Sequence, residues 1–265
     1  MRIIFLGDVV GEPGREAVKN LLPLAQEKYQ PDFVIINGEN AAGGNGITSK
    51  LAIELMRYGA DVITLGDHVW DQKEVVSYFE TEPRLLRPLN YPEGTPGKGH
   101  VIVQGNGKKL GIINAQGRTF IKPELDNPFL LIEPILKEIK KETNCILVDF
   151  HAEATSEKIA FGRFLDGKVS AVVGTHTHVA TADEEIFPKG TAYQTDVGMC
   201  GAHDSVIGRE AEGVIQRYLT LLPQRWYLSQ RDIRINGAFI EVDETSGLAT
   251  KIERVQFREA TKNSP

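Results

Sequence analysis

Cysteine is scarce in this chain, with only two residues in 265. Cys145 lies in the apolar run CILVDF, and Cys200 lies in the glycine-rich segment VGMCGAH. Two isolated cysteines rarely form a structural bridge in a protein that is not secreted, so two reduced thiols are predicted. Cys200 stays open as a ligand of a soft metal site, because thiolates bind such metals.

A long apolar run and an excess of basic residues are also absent. The N-terminal sequence MRIIFLGDVVGEPG has too short an apolar stretch for a signal peptide, and no run approaches membrane-spanning length, so a cytoplasmic protein is predicted. The formal net charge of −6 indicates no basic surface for duplex nucleic acid or for an anionic membrane. A small-molecule substrate is therefore favoured over a stable nucleic-acid complex or a membrane partner, and a homo-oligomer stays open.

Short apolar runs recur along the chain, and each is closed by small and polar residues. The runs are RIIFLGD, DFVIINGEN, DVITLGDH, KLGIINAQG, CILVDFHAE and SAVVGTHTH. Their continuous hydrophobicity predicts strands that are buried on both faces. Hydrophobic residues make up 41% of the chain, which is enough for a sizeable core.

Helices are predicted between these runs. Apolar residues at helical spacing indicate a helix over residues 14–29 and another over 48–59, where Thr48 or Ser49 would be the N-cap. Further helices are predicted near 72–79, 129–141 and 209–220.

The first third of the chain therefore reads β-α-β-α-β. The tail, residues 225–258, reads as a meander with the strand-like segments RWYLSQ, INGAFIEVD and ATKIERVQF. An α/β fold of mixed sheets with helices outside follows from this pattern. Residues 1–265 are predicted to form a single domain, since no linker, repeat or low-complexity segment divides them.

Carboxylates and imidazoles stand where these predicted strands end. The residues are Asp8, Glu39, Asp67, His68 and His151, followed by His176 and His178 after SAVVGT. In open α/β sheets, ligands bind just beyond the carboxyl ends of the strands, so side chains from several strands can meet in one crevice. The placement predicts a metal site, because carboxylates and imidazoles are common metal ligands.

His176 and His178 are separated by one residue. In an extended segment this spacing directs both imidazoles to the same side, close to one metal ion or to two adjacent ones. The motif alone is weak, since it arises by chance with odds on the order of one in ten in a chain with few histidines. All the histidines except His100, however, lie in or near glycine-rich strand ends beside carboxylates.

Each of these residues also has an ordinary structural explanation. Asp8 and Asp67 could cap the helices that follow them. Glu39 and Asn40 could be turn residues, although glutamate is a poor turn former. His151 would need only a hydrogen-bond partner within a buried strand. One metal site accounts for all of them together, whereas the structural explanations must be invoked one by one.

Six segments of the chain resemble the YmdB family of bacterial metallophosphoesterases. The segments are GDVVG at 7–11, NGENAAGG at 37–44, GDHVWD at 66–71, DFHAEATSEK at 149–158, GTHTHVATAD at 174–183 and PKGTAYQTDVGM at 188–199. The resemblance implies a calcineurin-like sandwich of two mixed β-sheets flanked by helices. It also implies hydrolysis of small phosphodiesters, with 2′,3′-cyclic nucleotides as the substrate class.

The same resemblance implies two metal ions, iron in related proteins and manganese or zinc elsewhere in the superfamily. Asp8 would bind the first ion, His178 would complete that site, and Glu39 would bridge both ions. The residues implied for the second ion are Asn40, Asp67, His151 and His176. The two cations would lower the pKa of a bridging water and would clamp the phosphoryl oxygens.

His68 is the predicted general acid, and the resemblance implies the same role. Its neighbour Asp67 already supplies a ligand from the same turn, and Asp71 could orient the imidazole by accepting from its other ring nitrogen. The substrate-binding residues stay unknown, because each polar candidate is more simply explained as a solvated surface residue. The candidates are Arg118, Lys158, Arg163, Asn114, Gln116, Tyr193 and Gln194.

Two other functions compete with phosphodiester hydrolysis. An amidohydrolase is disfavoured, because those barrels place their His-x-His at the first strand and here it comes late. A metal-containing nucleotide-sensing regulator, with weak or no turnover, remains an alternative. Asp67 favours that alternative, because its negative charge stands where an incoming phosphate would bind.

Asp67 departs from the family pattern, which usually reads GNH where this chain reads GDH. A unit charge ~4 Å from a phosphate costs about 4 kcal/mol at an effective dielectric near 20, and this is an upper scale because the carboxylate also holds a metal. The Asp67→Asn variant is therefore expected to hydrolyse a phosphodiester faster, unless Asp67 instead favours a more highly charged metal centre. Rates and metal contents of both proteins check this, and equal values for both quantities would contradict it.

Overall fold

Two β-sheets packed against each other form the centre of the protein, whose computed structural model describes residues 1–260. The first sheet has eight strands and the second has six. Both sheets mix parallel and antiparallel pairs of neighbouring strands. The predicted class, an α/β sandwich of two mixed sheets flanked by helices, is confirmed.

The strands of the first sheet are β1 (Arg2–Leu6), β2 (Asp8–Val9), β3 (Phe33–Asn37), β4 (Val62–Thr64), β5 (Leu85–Leu86), β12 (Met199–Ala202), β13 (Ile233–Val242) and β14 (Ala249–Arg258). Those of the second sheet are β6 (His100–Gly105), β7 (Lys108–Gln116), β8 (Ile146–His151), β9 (Ala171–Thr175), β10 (Glu185–Ile186) and β11 (Ala192–Gln194). The strand order is β2-β12-β13-β1-β3-β4-β5 in the first sheet, with β14 paired to β13, and β10-β11-β9-β8-β7-β6 in the second. The helices are α1 (Gly11–Tyr29), α2 (Ser49–Arg57), α3 (Val75–Tyr78), α4 (Pro128–Ile139), α5 (Thr155–Leu165) and α6 (Ala211–Thr220).

Three apolar layers hold these elements together. The middle layer lies between the sheets and combines side chains such as Phe5 and Ile35 with Ile112 and Leu147. Helices α1 and α2 cover the outer face of the first sheet, and α4 and α5 cover that of the second. The strands β3, β8 and β9 are buried along their whole length because they lie between two such layers, which explains their uninterrupted apolar sequences.

The predicted helices are present, although α3 is shorter than its predicted range. Thr48 is the N-cap of α2, since its side chain accepts a hydrogen bond from the backbone amide of Leu51 at 3.2 Å. The segment RWYLSQ is not a strand, so that part of the predicted meander is wrong, and only Leu228 within it forms an isolated bridge, to Arg209. Its Trp226 and Tyr227 are about half exposed and pair with no neighbouring strand.

Several elements go beyond the sequence predictions, namely the helix α5 and the strands β2, β5, β6, β10, β11 and β12. The helix α5 begins at Thr155, only four residues after His151, and packs against the outer face of the second sheet. None of the helices within residues 1–260 combines the length and the apolar character needed to cross a bilayer.

Asp149 connects the two sheets through hydrogen bonds at the centre of the fold. Its Oδ2 accepts from Asn37 Nδ2 at 3.0 Å and from Thr64 Oγ1 at 2.5 Å, both in the first sheet. Its Oδ1 accepts from Thr175 Oγ1 at 2.7 Å in the second sheet. Complete burial raises the pKa of Asp149 to about 6, against the opposing effects of His151 and of the three donors.

Replacing Asp149 with alanine is expected to destabilise the fold strongly. Three buried donors would lose their acceptor, and each unsatisfied group costs about 1–3 kcal/mol, so the free energy of unfolding should fall by at least about 3 kcal/mol. Denaturant unfolding measures this loss. The control is Asp204→Ala, which removes a carboxylate from an exposed ion pair with Arg231 and should change stability by less than about 1 kcal/mol. Similar losses in both variants would contradict the structural role of Asp149.

Candidate metal centre

The carboxyl ends of five strands deliver side chains to one crevice between the sheets. Asp8 follows β1 and starts the short strand β2, Glu39 follows β3, Asp67 follows β4, and His151 ends β8. His176 and His178 follow β9. The structure thus brings together, in two groups, six of the seven side chains that the sequence placed at strand ends, all except His68.

The first group consists of Glu39, Asp67, His151 and His176, whose ligand atoms all lie within 4.8 Å of one another. His151 Nε2 is 3.0 Å from Asp67 Oδ1 and 3.1 Å from Glu39 Oε2. His176 Nδ1 is 3.1 Å from His151 Nε2 and 3.3 Å from Asp67 Oδ1. These four side chains point one donor atom each at a common point.

The second group consists of Asp8, Glu39 and His178, so Glu39 belongs to both groups. Asn40 Oδ1 lies 3.1 Å from His178 Nε2, which places this amide beside the second group. The family resemblance implied Asn40 as a partner of Asp67, His151 and His176. The geometry instead puts its oxygen on the side of Asp8 and His178.

Unpaired oxygens within the two groups fit a bound cation. Asp8 Oδ1 and Glu39 Oε2 are buried yet accept no hydrogen bond, although Glu39 Oε2 lies close to His151. Buried carboxylate oxygens without a partner are costly, because their charge is neither solvated nor compensated. Carboxylate oxygens and imidazole nitrogens are also the donors that iron, manganese and zinc accept. The residues present therefore fit metal ions.

Charges of opposite sign perturb each other strongly in the first group. Burial alone would lower the pKa of His151, but the nearby carboxylates of Glu39, Asp67 and Asp8 raise that pKa well above its ordinary value. Burial would likewise raise the pKa of Asp67, but hydrogen bonds from His151 and His176 hold that pKa well below its usual range. The crevice is an environment that favours positive charge among its carboxylates.

Contacts on the far side of each imidazole fix which nitrogen faces the centre. His151 Nδ1 lies 2.9 Å from Thr175 Oγ1, and this hydroxyl donates to Asp149, so it must accept from the imidazole. His176 Nε2 lies 3.2 Å from Glu153 Oε2, and His178 Nδ1 donates to the carbonyl oxygen of Ile207 at 3.2 Å. The nitrogens left over, Nε2 of His151 and Nδ1 of His176 among them, are available as ligands.

The two histidines of the His-x-His motif are not in an extended segment. His176 has φ 103° and His178 has φ 65°, both in the left-handed region that side chains with a Cβ rarely adopt. The expectation that an extended spacing directs both rings to one side was therefore wrong. The left-handed turns instead send His176 to one group and His178 to the other.

A buried ion pair holds this strained turn in place. Lys158 Nζ donates to Asp196 Oδ2 at 2.6 Å and to the carbonyl oxygen of Thr175 at 2.8 Å. Asp196 Oδ2 accepts from the backbone amide of Thr177 at 3.1 Å. Surroundings that fix a strained backbone at several points are common at functional sites. Lys158 is fully buried in this network, so it is not free to contact a substrate.

His68 lies at the wall of the crevice with its ring partly exposed. Its Nδ1 is 2.9 Å from Asp71 Oδ2. The side-chain nitrogen Nδ2 of Asn45 lies 3.3 Å from His68 Nδ1. Its Nε2 is 4.0 Å from Asp67 Oδ2, so this nitrogen faces the first group. The Asp71 contact is the one expected from the three-residue spacing.

The other polar candidates for substrate contact do not line the crevice. Tyr193 stacks on Phe187 with ring centroids 4.8 Å apart. Arg163 lies over the Phe187 ring, with its Cζ 3.6 Å from the ring centroid. Asn114 Oδ1 accepts from the backbone amide of Leu65 at 3.0 Å, which links the two sheets. Gln116, Gln194 and Arg118 are likewise absent from the residues that line the cavity.

Cys200, His100 and His203 also lie outside both groups. Burial raises the pKa of the Cys200 thiol to about 12, so it stays protonated, and its Sγ lies 3.5 Å from the carbonyl oxygen of Asn236. His203 contacts the Asn236 side chain at 3.2 Å. A metal ligand role for Cys200 finds no support in this geometry.

A cavity of about 890 Å³ opens above both groups. Its floor includes Glu39, Asn40, His68, His176 and His178. Its other wall was missed from the sequence and includes Val206, Ile207, Arg209, Arg217, Tyr218 and Trp226. The available signal was the apolar segment around α6, which continues as LLPQRWYL beyond the end of the helix.

Substituting Gly66 is expected to damage the centre, because a Cβ at this position would lie 2.1 Å from Glu39 Oε2 and 2.3 Å from His151 Nε2. The Gly66→Ala variant should bind metal about 10- to 100-fold more weakly, since both side chains must move. Metal titration and elemental analysis measure this effect. The control is Gly213→Ala in α6, where the atom nearest to a new Cβ would be 3.4 Å away. Normal metal affinity in Gly66→Ala would show that these side chains are not ligands.

Several known proteins are similar to this chain in sequence and in fold. The profile of the family described as YmdB-like protein matches residues 4–255. The 2′,3′-cyclic-nucleotide 2′-phosphodiesterase of Bacillus subtilis (strain 168) is 53% identical over 255 residues, which cover 96% of each chain. These matches confirm the predicted family and the prediction that the chain is an enzyme of the phosphoesterase class.

Two solved structures superpose on almost the whole chain. A hypothetical protein from Thermus thermophilus has a TM-score of 0.91 at 44% identity, covering 98% of this chain and 100% of its own. A phosphatase from Mycoplasma pneumoniae has a TM-score of 0.91 at 38% identity, covering 97% of this chain and 93% of its own. By its sequence and by its fold, this chain belongs to the YmdB-like protein family.

Proposed function

We propose that this protein hydrolyses small phosphodiesters, with 2′,3′-cyclic nucleotides as the substrate class, at a centre of two metal ions. The observation that carries the proposal is the pair of ligand groups that share Glu39 beneath one cavity. The name of the Bacillus subtilis relative supports the substrate class, and it indicates that the bond from phosphorus to the 2′-oxygen breaks.

The two ligand groups support one assignment of side chains to the ions of this proposal. Glu39, Asp67, His151 and His176 would hold one ion, and Asp8, Glu39 and His178 would hold the other. Asn40 stands beside His178 and would join that second set. Iron is the proposed metal, with manganese or zinc as the alternatives that the same oxygen and nitrogen donors accept.

Bound metal ions would supply a water of lowered pKa and would neutralise the charge of the phosphoryl group. The remaining task is to protonate the leaving 2′-oxygen, and His68 is placed for it. Asp71 accepts from Nδ1, so the proton for transfer is carried at Nε2, which faces the first group. The Asp71 carboxylate also fixes the orientation of the imidazole ring, which keeps Nε2 directed toward the crevice.

A second candidate function is a nucleotide sensor that binds at the metal centre without turnover. Asp67 favours it, because this carboxylate adds negative charge to a site that already contains Asp8 and Glu39. Incubation of metal-reconstituted protein with 2′,3′-cyclic AMP separates the two functions. An enzyme releases 3′-AMP over many turnovers, whereas a sensor binds the nucleotide and releases no product.

The His68→Ala variant tests the catalytic assignment within the same assay. Loss of a general acid is expected to lower kcat about 10²- to 10⁴-fold, while metal content stays at the wild-type level because His68 is not among the ligand groups. Phosphodiesterase kinetics and elemental analysis measure both quantities.

The matched control is His100→Ala, a partly buried histidine in β6 whose Nε2 lies 4.0 Å from Glu138, outside the cavity. This variant should keep wild-type kcat. If His68→Ala loses its metal, His68 is a ligand and not the proton donor. If the reconstituted wild type forms no 3′-AMP, the proposed function itself is wrong.

A further inference from the structure

A segment rich in exposed apolar side chains covers one side of the metal centre. We call residues 203–228, which contain α6 and make up most of the connection from β12 to β13, the arm. Half of the large hydrophobic side chains that are exposed within residues 1–260 belong to it, among them Tyr218, Leu221 and Trp226. Exposed apolar patches mark interaction sites, and a ligand-binding groove is one of these.

The arm is attached to the metal centre at the floor of the cavity. The carbonyl oxygen of Ile207 accepts from His178 Nδ1 at 3.2 Å, so the arm touches a side chain of the second ligand group directly. The cavity of about 890 Å³ runs without interruption from His68, His176 and His178 to Trp226 on the arm. Its size falls within the range of about 300–1,000 Å³ that sites for one small molecule occupy.

Arg209 joins the arm to the loop that carries the proposed proton donor. Its Nη2 donates to Asn45 Oδ1 at 2.9 Å, and its Cζ lies 5.7 Å from the ring centroid of Trp226. Asn45 in turn contacts His68 Nδ1. Gly44 has to be glycine for this approach, because a Cβ there would lie 2.7 Å from Arg209 Nη2. A series of contacts through Arg209 and Asn45 therefore connects Trp226 to His68.

We propose that the arm is the nucleobase subsite of this enzyme, in which the indole of Trp226 stacks on the base while Arg209 and Arg217 face its polar edge. The inference rests on the proposed function, which places the phosphate of the same substrate at the metal centre. A cyclic nucleotide has its base on the same five-membered ring as its phosphate, so a phosphate held on the floor directs the base to a wall.

The chemistry of this wall fits a nucleobase better than an aliphatic group or a protein segment. An indole offers a flat π-face to any base, and guanidinium groups donate to the carbonyl and ring-nitrogen acceptors at a base edge. Both arginines are held by the protein, since Arg209 bonds Asn45 and Arg217 Nη1 donates to the carbonyl oxygen of Leu221. Stacking tolerates all four bases, so the subsite selects nucleotides over base-free phosphodiesters.

The ratio of two specificity constants tests the subsite. The substrates are 2′,3′-cyclic AMP and glycerol 1,2-cyclic phosphate, which has the same five-membered cyclic phosphodiester but no base. The Trp226→Ala variant is expected to lower the ratio of kcat/KM for the first over the second about ten-fold, equivalent to about 1.4 kcal/mol. Trp226→Phe should restore most of the ratio, because the phenyl ring still stacks.

Tyr227→Ala is the matched control. Tyr227 is the next residue, is about half exposed, and is outside the residues that line the cavity. Its replacement should leave the ratio at the wild-type value. An unchanged ratio in Trp226→Ala would overturn the proposal. Equal losses on both substrates, accompanied by a change in sedimentation coefficient, would also overturn it and would identify the arm as a contact between copies of this chain.

A binding measurement separates failure of the subsite from failure of the proposed function. The chain has two tryptophans, and in the metal-reconstituted Trp70→Phe variant the indole fluorescence comes from Trp226 alone. Saturable quenching by 3′-AMP, and its absence with ribose 5-phosphate, would support the subsite even if no turnover occurs. Turnover of 2′,3′-cyclic AMP without quenching by 3′-AMP would overturn the subsite and leave the hydrolytic function intact.

Discussion

The hydrogen bonds of the buried Asp149 carboxylate set the positions of most side chains in the metal centre. Asn37, Thr64 and Thr175 donate to Asp149, and each stands one to three residues before a member of the first ligand group. Asn37 also accepts from the backbone amide of Glu39 at 3.1 Å. Because one carboxylate fixes the ends of four strands across both sheets, the ligand side chains leave the sheets from positions that cannot shift independently.

The two ligand groups themselves lower the stability of the fold. Three buried or largely buried carboxylates lie close together in the two ligand groups, and two non-glycine residues adopt left-handed backbone angles. Each strained residue of this kind costs about 1–3 kcal/mol. The apolar layers on either side of the sheets, and the Lys158–Asp196 pair beneath the histidine turn, hold the centre against this strain. A rigid scaffold of this kind is what a site needs to hold its ligands in one geometry.

The sequence predicted the buried strands and the residues at their ends, because both depend on local order along the chain. The order of residues alone could not assign each ligand to a group, since that depends on backbone angles such as those of His176 and His178, and the division into two groups came only from the family resemblance. The placement of Asn40 was missed for the same reason. Lys158 was taken for a surface residue because charged side chains are usually exposed. The sequence does not show that Lys158 forms a buried ion pair with Asp196. The apolar arm was missed because the sequence alone does not distinguish exposed apolar residues from buried ones.

The net charge of the proposed metal centre is compatible with a carboxylate at position 67. Two divalent cations held by the carboxylates of Asp8, Glu39 and Asp67 would leave one net positive charge, which a phosphodiester monoanion neutralises. An asparagine at position 67 would leave one more positive charge and would attract the anion more strongly. An enzyme with Asp67 must therefore obtain more of its substrate affinity from contacts away from the phosphate. The aromatic wall of the arm, with Trp226 at the edge of the same cavity, can supply such contacts.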